Sequence, residues 1–176
     1  MLRGVLSEHN YKPHFSGHAT FPLRYGWLKK AFDAVVNEDG VEGNKSIFIN
    51  DDAIARFGVG KNMVEAIRHW ADAMGVIEQD QKTNSINTTA FGRLLFGNDG
   101  LDPYLESNSA LWLLHWKLAS SPQKTTWYWV FNYFVGQTFE REHIIKGLSE
   151  LSENAPWVSP SLNTIKRDVE CFVRTY

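Results

Sequence analysis

Residues 52–88, DAIARF GVG KNMVEAIRHWADAM G VIEQ DQKTN SINT, decide the fold. Gly58 offers the left-handed residue that stops a short helix ending at Phe57, and Asn50 or Asp51 just upstream is suited to cap that helix. From Lys61 to Met74 the apolar residues Val64, Ile67, Ala71 and Met74 share one helical face, while Lys61, Glu65, Arg68 and Asp72 share the other. Gly75 closes this helix. Val76-Ile77-Glu78 and Ser85-Ile86-Asn87-Thr88, around the polar tip Asp80 to Asn84, read as a two-stranded hairpin. Helix, turn, helix, hairpin is the order of a winged helix-turn-helix, in which the helix after the turn lies in the major groove and the hairpin touches the adjacent backbone.

Working outward, a helix that precedes this motif is predicted from Phe21, with Thr20 as its cap, Pro22 in the tolerated first turn and a stripe of Leu23, Trp27, Ala31 and Val35. Asp39-Gly40 ends it, and Ser46-Ile47-Phe48-Ile49 is β-like. Downstream, Thr89–Phe96 is a short helix, and Gly97-Asn98-Asp99-Gly100 is the strongest break in the chain. The expected division is therefore an N-terminal arm and winged helix-turn-helix over 1–97 and an aromatic-rich helical subdomain over 98–176. Helices over Ser109–Ala119 and Thr126–Phe134 carry Trp112, Trp116, Trp127, Trp129, Phe131, Tyr133 and Phe134, which are expected to build a helical core. Ile144, Leu148 and Leu151 stripe a helix over Phe139–Glu153; after a turn at 154–158, Ser159 with Pro160 starts the last helix. Its apolar residues Ile165, Val169, Phe172 and Val173 reach the end without a stop signal, so the chain reads as a fragment of a longer protein. The fold class is mostly α (α+β): a winged helix-turn-helix, then a helical bundle that ends in a second helix-turn-helix-like pair.

The 176 residues hold 43% hydrophobic and 14% aromatic side chains, which excludes disordered and low-complexity classes and calls for a sizeable core. Eighteen Lys and Arg against twenty Asp and Glu leave a charge of −2, so DNA has to be met by local basic patches. The single cysteine, Cys171, forms no internal disulfide and suits a reducing cytoplasm. The start is too polar for a signal peptide, and the densest apolar run, Ala110 to Leu118, is interrupted by His115 and Lys117 and too short to cross a bilayer. A cytoplasmic protein without a membrane partner is expected.

Lys61 and Asn62 stand at a helix start, where free amides and the dipole favour phosphate, with Arg68 and His69 about two turns on. Lys and Arg reach phosphate and guanine and Asn can pair with adenine, so this is a base-reading face, with Lys82 at the hairpin tip beside the backbone. The competing reading is a solvated face with a Glu65–Arg68 pair, in a module that binds protein. Asn163, Lys166 and Arg167 on the last helix repeat the chemistry, diluted there by Asp168 and Glu170. The run His14 to Lys30, HFSGHATFPLRYGWLKK, interleaves polar, glycine and aromatic residues. In it His14 and His18 are the candidates for a general base, and Thr20 and Arg24 could hold a phosphate. The alternative is structural: Phe21 tethers the strand, Thr20 caps the helix and His18 satisfies a turn. Two histidines without a third ligand define no metal site. The carboxylates Asp51-Asp52 and Asp99–Asp102 read as helix caps, and no motif calls for a cofactor.

Phe15 to Lys30 in that run resembles the opening signature of a bacterial domain-of-unknown-function family that includes the SspB component of Ssp-type DNA phosphorothioation defence systems. Val169 to Tyr176 adds a second, weaker match. An acidic residue commonly lies between the His and the Thr of that motif, where this chain has Ala19. The resemblance implies a DNA-binding protein that assists sulfur insertion into the DNA backbone, beside a sulfurtransferase partner similar to PAPS reductase. It also implies a nicking endonuclease in the full-length protein, although Cys171 on an apolar helix face is a poor sulfur carrier. A scaffold that docks the sulfurtransferase without touching DNA is the alternative, and a homodimer is compatible with either.

Overall fold

The computed structural model describes residues 4–36, 45–49, 52–80, 82–83, 85–136, 138 and 140–176. Its helices are α1 (Trp27–Val36), α2 (Asp52–Phe57), α3 (Lys61–Ala73), α4 (Ala90–Phe96), α5 (Asn108–Ala119), α6 (Thr125–Tyr133), α7 (Arg141–Glu153) and α8 (Leu162–Thr175). Strands β1 (Ile77–Gln79) and β2 (Ile86–Thr88) pair antiparallel, with Ile77 opposite Thr88 and Gln79 opposite Ile86. The chain is mostly helical with one small hairpin, as expected. It forms two compact units, one of residues 17–117 and one of residues 1–16 with 118–176; the second boundary falls within α5.

In the 17–117 unit the order α1, α2, α3, β1, β2 is that of a winged helix. Gly58 ends α2 at φ +64° and Gly75 ends α3 at φ +68°, both in the left-handed region where a glycine is least strained. The core gathers Leu28, Ala31 and Phe32 of α1, Val64, Ile67 and Trp70 of α3, Ile77 and Ile86 of the hairpin, and Leu95 and Phe96 of α4. Thr89 caps α4: its hydroxyl accepts from the Gly92 amide at 2.8 Å and donates to the Gly75 carbonyl. Gly92 is needed because any Cβ there would lie 2.2 Å from the Val76 carbonyl oxygen.

Three expectations in this unit are corrected. Helix α1 begins at Trp27 and not at Phe21, because the Phe21 carbonyl is taken by the Trp70 indole N–H at 3.0 Å and the entry turn is made at Gly26, φ +79°. Thr20 does not cap a helix: it sits at φ +65° and its amide donates to His18 Nδ1 at 3.0 Å. The run Ser46–Ile49 is not a strand, since Lys45–Phe48 form a 3-10 turn and Phe48 stacks on Phe57 with centroids 5.2 Å apart. The expected stop at Asp39-Gly40 and caps at Asn50 or Asp51 lie outside the described residues. After the cluster Gly97–Gly100 the amides of Leu101 and Asp102 bond back to the carbonyls of Leu94 and Leu95, so the chain returns onto α4.

The other unit is discontinuous in sequence. Trp157 donates its indole N–H to the Leu6 carbonyl at 3.0 Å, and Tyr11 donates to the Pro122 carbonyl at 2.7 Å. Tyr11 and Phe15 also pack on the Trp157 ring. Ile144, Leu148, Ile165, Val169 and Phe172 form the seam between α7 and α8, and Trp127 of α6 meets Phe172 edge-on at 5.6 Å. Gly147 leaves room for the Trp129 ring, which a Cβ would meet at 2.4 Å. Helix α8 is capped by Ser161, whose hydroxyl accepts from the Thr164 amide; Ser159 does not cap it, because its hydroxyl donates to the Ser152 carbonyl. The expected start of α7 at Phe139 lies outside the described residues. The aromatic core is only partly realised: Trp127 is buried and Trp129, Tyr133 and Phe134 are half-buried, but Trp112 and Trp116 of α5 are 70% and 69% exposed.

Candidate nucleic-acid interface

Helix α3 buries Val64, Ile67, Trp70 and Ala71 and turns Lys61, Asn62 and Glu65 to solvent, with Arg68 and His69 half-buried. Its N-cap is Gly60, which offers no side-chain oxygen, and the amides of Met63 and Val64 both bond to the Gly60 carbonyl. The first-turn amides beside Lys61 and Asn62 therefore point along the positive end of the helix without a capping side chain. Among the described residues no ion pair joins Glu65 to Arg68, so the pair that the competing reading supposes does not form.

At the hairpin tip the Asp80 carboxylate accepts from the amides of Lys82 and Thr83 at 2.7 and 3.3 Å, which holds its pKa below the ordinary carboxylate value. Lys82 itself is exposed. The rest of the tip, Gln81 and Asn84, lies outside the described residues.

The run that follows His14 is brought against α3 at one residue. His18 is 3% exposed, lies over Trp70 with centroids 6.4 Å apart and meets His69 edge-on at 5.8 Å. It is fixed by the turn it makes: Nδ1 accepts the Thr20 amide, and the Phe21 amide donates to its carbonyl at 2.8 Å. Gly17, Ala19 and Thr20 all have positive φ, at +107°, +47° and +65°. Two successive non-glycine residues in that region cost about 1–3 kcal/mol each. The guanidinium of Arg24 lies 5.8 Å from the Phe21 ring and 5.5 Å from that of Trp27, a cation–π seat. Thr20 is exposed. His14 is exposed and belongs to the other unit, where its backbone is paired with Thr125.

On α8, Asn163, Lys166 and Arg167 are exposed. The acids expected to dilute them already have partners. Asp168 is 1% exposed and accepts from the Thr126 hydroxyl at 2.5 Å, and Glu170 is tied to Arg141 at 2.8 Å. Arg141, Glu142 and Lys146 of α7 join Leu162 and Lys166 of α8 in lining a groove of about 520 Å³, with Arg141 paired to Glu142 at 3.4 Å and Lys146 to Glu150 at 3.9 Å. Sequence reasoning missed Arg141 and Lys146, because α7 was recognised by its apolar stripe and its opposite face shows no periodic signal. Cys171 is buried, and burial pushes its thiol up to about 12, far from a reactive thiolate. Among the described residues no three His, Cys, Asp or Glu side chains converge as a metal ion requires. Nor, among the described residues, is any helix long and apolar enough to cross a membrane.

A family model described as a protein of unknown function (DUF4007) matches residues 15–176. Two solved structures share the fold: a magnesium ion-bound SspB crystal structure, with TM-score 0.82 and 34% identity, and an SspB crystal structure, with TM-score 0.79 and 33% identity. The matches cover 97% and 96% of this chain but 52% of each SspB chain, so the chain spans about half the length of these neighbours. No curated protein matches it.

Proposed function

The chain belongs to the DUF4007 family, and from that membership we propose that it serves an Ssp-type DNA phosphorothioation system in the cytoplasm as its DNA-binding component. The observation that carries this reading is the start of α3, where Lys61 and Asn62 are exposed at a helix end that no side chain caps. A phosphate seated there meets the backbone amides and the Lys61 ammonium together, while Asn62 faces the base edges and Arg68 a further phosphate or guanine. Lys82 on the hairpin reaches the neighbouring backbone. Thr20 and Arg24 flank the cluster of His18, His69 and Trp70 and are supporting contacts at most, since the Arg24 charge already lies over two rings. Asn163, Lys166 and Arg167 form a second basic face in the other unit.

Nicking is assigned to no residue of this chain. His18 spends Nδ1 on the Thr20 amide, and His14 falls in the other compact unit. The second reading, a scaffold that docks a sulfurtransferase similar to PAPS reductase, is favoured by one observation, the exposed tryptophans of α5.

A salt-resolved titration of labelled duplex DNA tests the first reading. Replacing Lys61 and Arg68 together by Ala should weaken binding and lower the slope of log affinity against log salt by about one unit per lost phosphate contact. Unchanged affinity and slope, with loss of the sulfurtransferase in a pull-down of the same variant, would move the assignment to the scaffold.

A further inference from the structure

The outer face of α3 carries a carboxylate between two cations: Glu65 follows Lys61 by four residues and precedes Arg68 by three. Glu65 is exposed. Among the described residues none of the three side chains enters an ion pair, although Glu65 and Arg68 are spaced to reach each other. Glu65 is the fifth of the thirteen residues of the helix, in the half by which a recognition helix meets base edges. A carboxylate with no cation of its own is unfavourable on a surface that approaches phosphates, because like charges repel across the contact. It becomes favourable only where the groove offers it a hydrogen-bond donor.

An ionised carboxylate accepts hydrogen bonds and donates none. In the major groove guanine presents the acceptors N7 and O6, and thymine the acceptor O4 beside a methyl group. Adenine sets the acceptor N7 next to its N6 donor, an edge that suits an amide, which both donates and accepts, and opposes a carboxylate. Cytosine alone shows a donor, its N4 amino group, with no acceptor on its own edge. From this chemistry we propose that Glu65 is a specificity-determining residue of α3, which accepts from N4 of one cytosine in the duplex and disfavours every other base at that place. This rests on the reading of α3 as the DNA-contacting helix and deepens it. Lys61 and Arg68 supply attraction that any sequence shares, whereas Glu65 subtracts from it everywhere except opposite cytosine, so discrimination arises from repulsion as well as from contact. The excess of acids over bases in residues 17–117 acts in the same direction, by holding down sequence-independent binding.

Selection of a randomised duplex library by the 176-residue chain, followed by titration of the selected duplex, tests the proposal. The parent should enrich cytosine at one position. Glu65→Gln, which places an amide on the same stem, should move that position from cytosine towards adenine, with relative affinity changing by about 5- to 150-fold, the range one good base contact supplies. Glu65→Ala should flatten the preference there and strengthen binding to unrelated duplex, with little change in the slope against log salt, since Glu65 neutralises no phosphate. Both variants should keep the circular dichroism of the parent, because the side chain is exposed and unpaired. A parent that binds no duplex overturns the DNA-binding reading itself and the proposal with it. A parent that binds but prefers no cytosine, or whose preference outlasts both substitutions, overturns the proposal alone.

Discussion

Asp102 sets how α5 begins. It is buried, and its two carboxylate oxygens accept from the amides of Glu106 at 2.9 Å and Ser107 at 2.8 Å, which holds its pKa below the ordinary value. A carboxyl depressed on folding stabilises above its unfolded pKa of about 3.9, and that stability is lost as pH falls through the lower folded value. Asp102→Asn should therefore lower the melting temperature at neutral pH, and the gap from the parent should close once both forms are protonated. Thermal melts stepped from pH 7 towards pH 2 check this; a gap of constant size would show that the carboxylate charge is not involved. Residue type alone suggested the capping role. Asp168 shows the opposite case, because its place on a polar-looking helix face hid the buried hydroxyl of Thr126 that holds it inward. For His18 the structural alternative is the one the geometry favours: the side chain serves a turn, although the turn is a strained loop and not a helix cap.

Elements with a single apolar stripe were legible. Helices α3 and α7 and the hairpin fall within a few residues of their expected limits, since one face of each is buried and period alone locates it. Helix α1 starts six residues later than its sequence predicts, because Pro22 is a valid local start signal and only the tertiary bond from Trp70 to Phe21 overrides it. In α5 no period exists, so nothing in the sequence separates the inward face from the one that bears Trp112 and Trp116. The junction of α3, β1 and α4 is the most tightly determined of these contacts. Gly92→Ala would drive a methyl to 2.2 Å from the Val76 carbonyl, so the helix or the strand must shift. Overpacking of this kind costs about 1–3 kcal/mol, and a denaturant titration should show the midpoint falling with little change in slope. A neutral Gly92→Ala would mean that α4 yields freely.

Taken whole, the molecule divides its charge between its units. Residues 17–117 hold ten Lys and Arg against thirteen Asp and Glu, and the remainder eight against seven. Any affinity of the winged-helix unit for DNA must therefore come from local placement on α3 and the hairpin tip. The unit boundaries were not legible, because the first sixteen residues pair with sequence beyond residue 118 through bonds that no local pattern announces, such as Trp157 to Leu6 and Tyr11 to Thr125. Deleting residues 1–16 should accordingly loosen α6 to α8 and spare α1 to α4. Hydrogen exchange read by mass spectrometry separates the two, and faster exchange confined to α1–α4 would contradict the division.

The same discontinuity bears on how the chain leaves the ribosome. Residues 17–117 are contiguous, so every partner that the winged-helix unit needs is present once they have emerged, and that unit can complete itself during synthesis. The opening segment, with Leu6, Tyr11 and Phe15 still uncovered, has to wait for Thr125 and Trp157 to be made. At translation rates of about 5–20 residues per second the interval is several seconds or more, during which a nascent apolar arm stays open to chaperones.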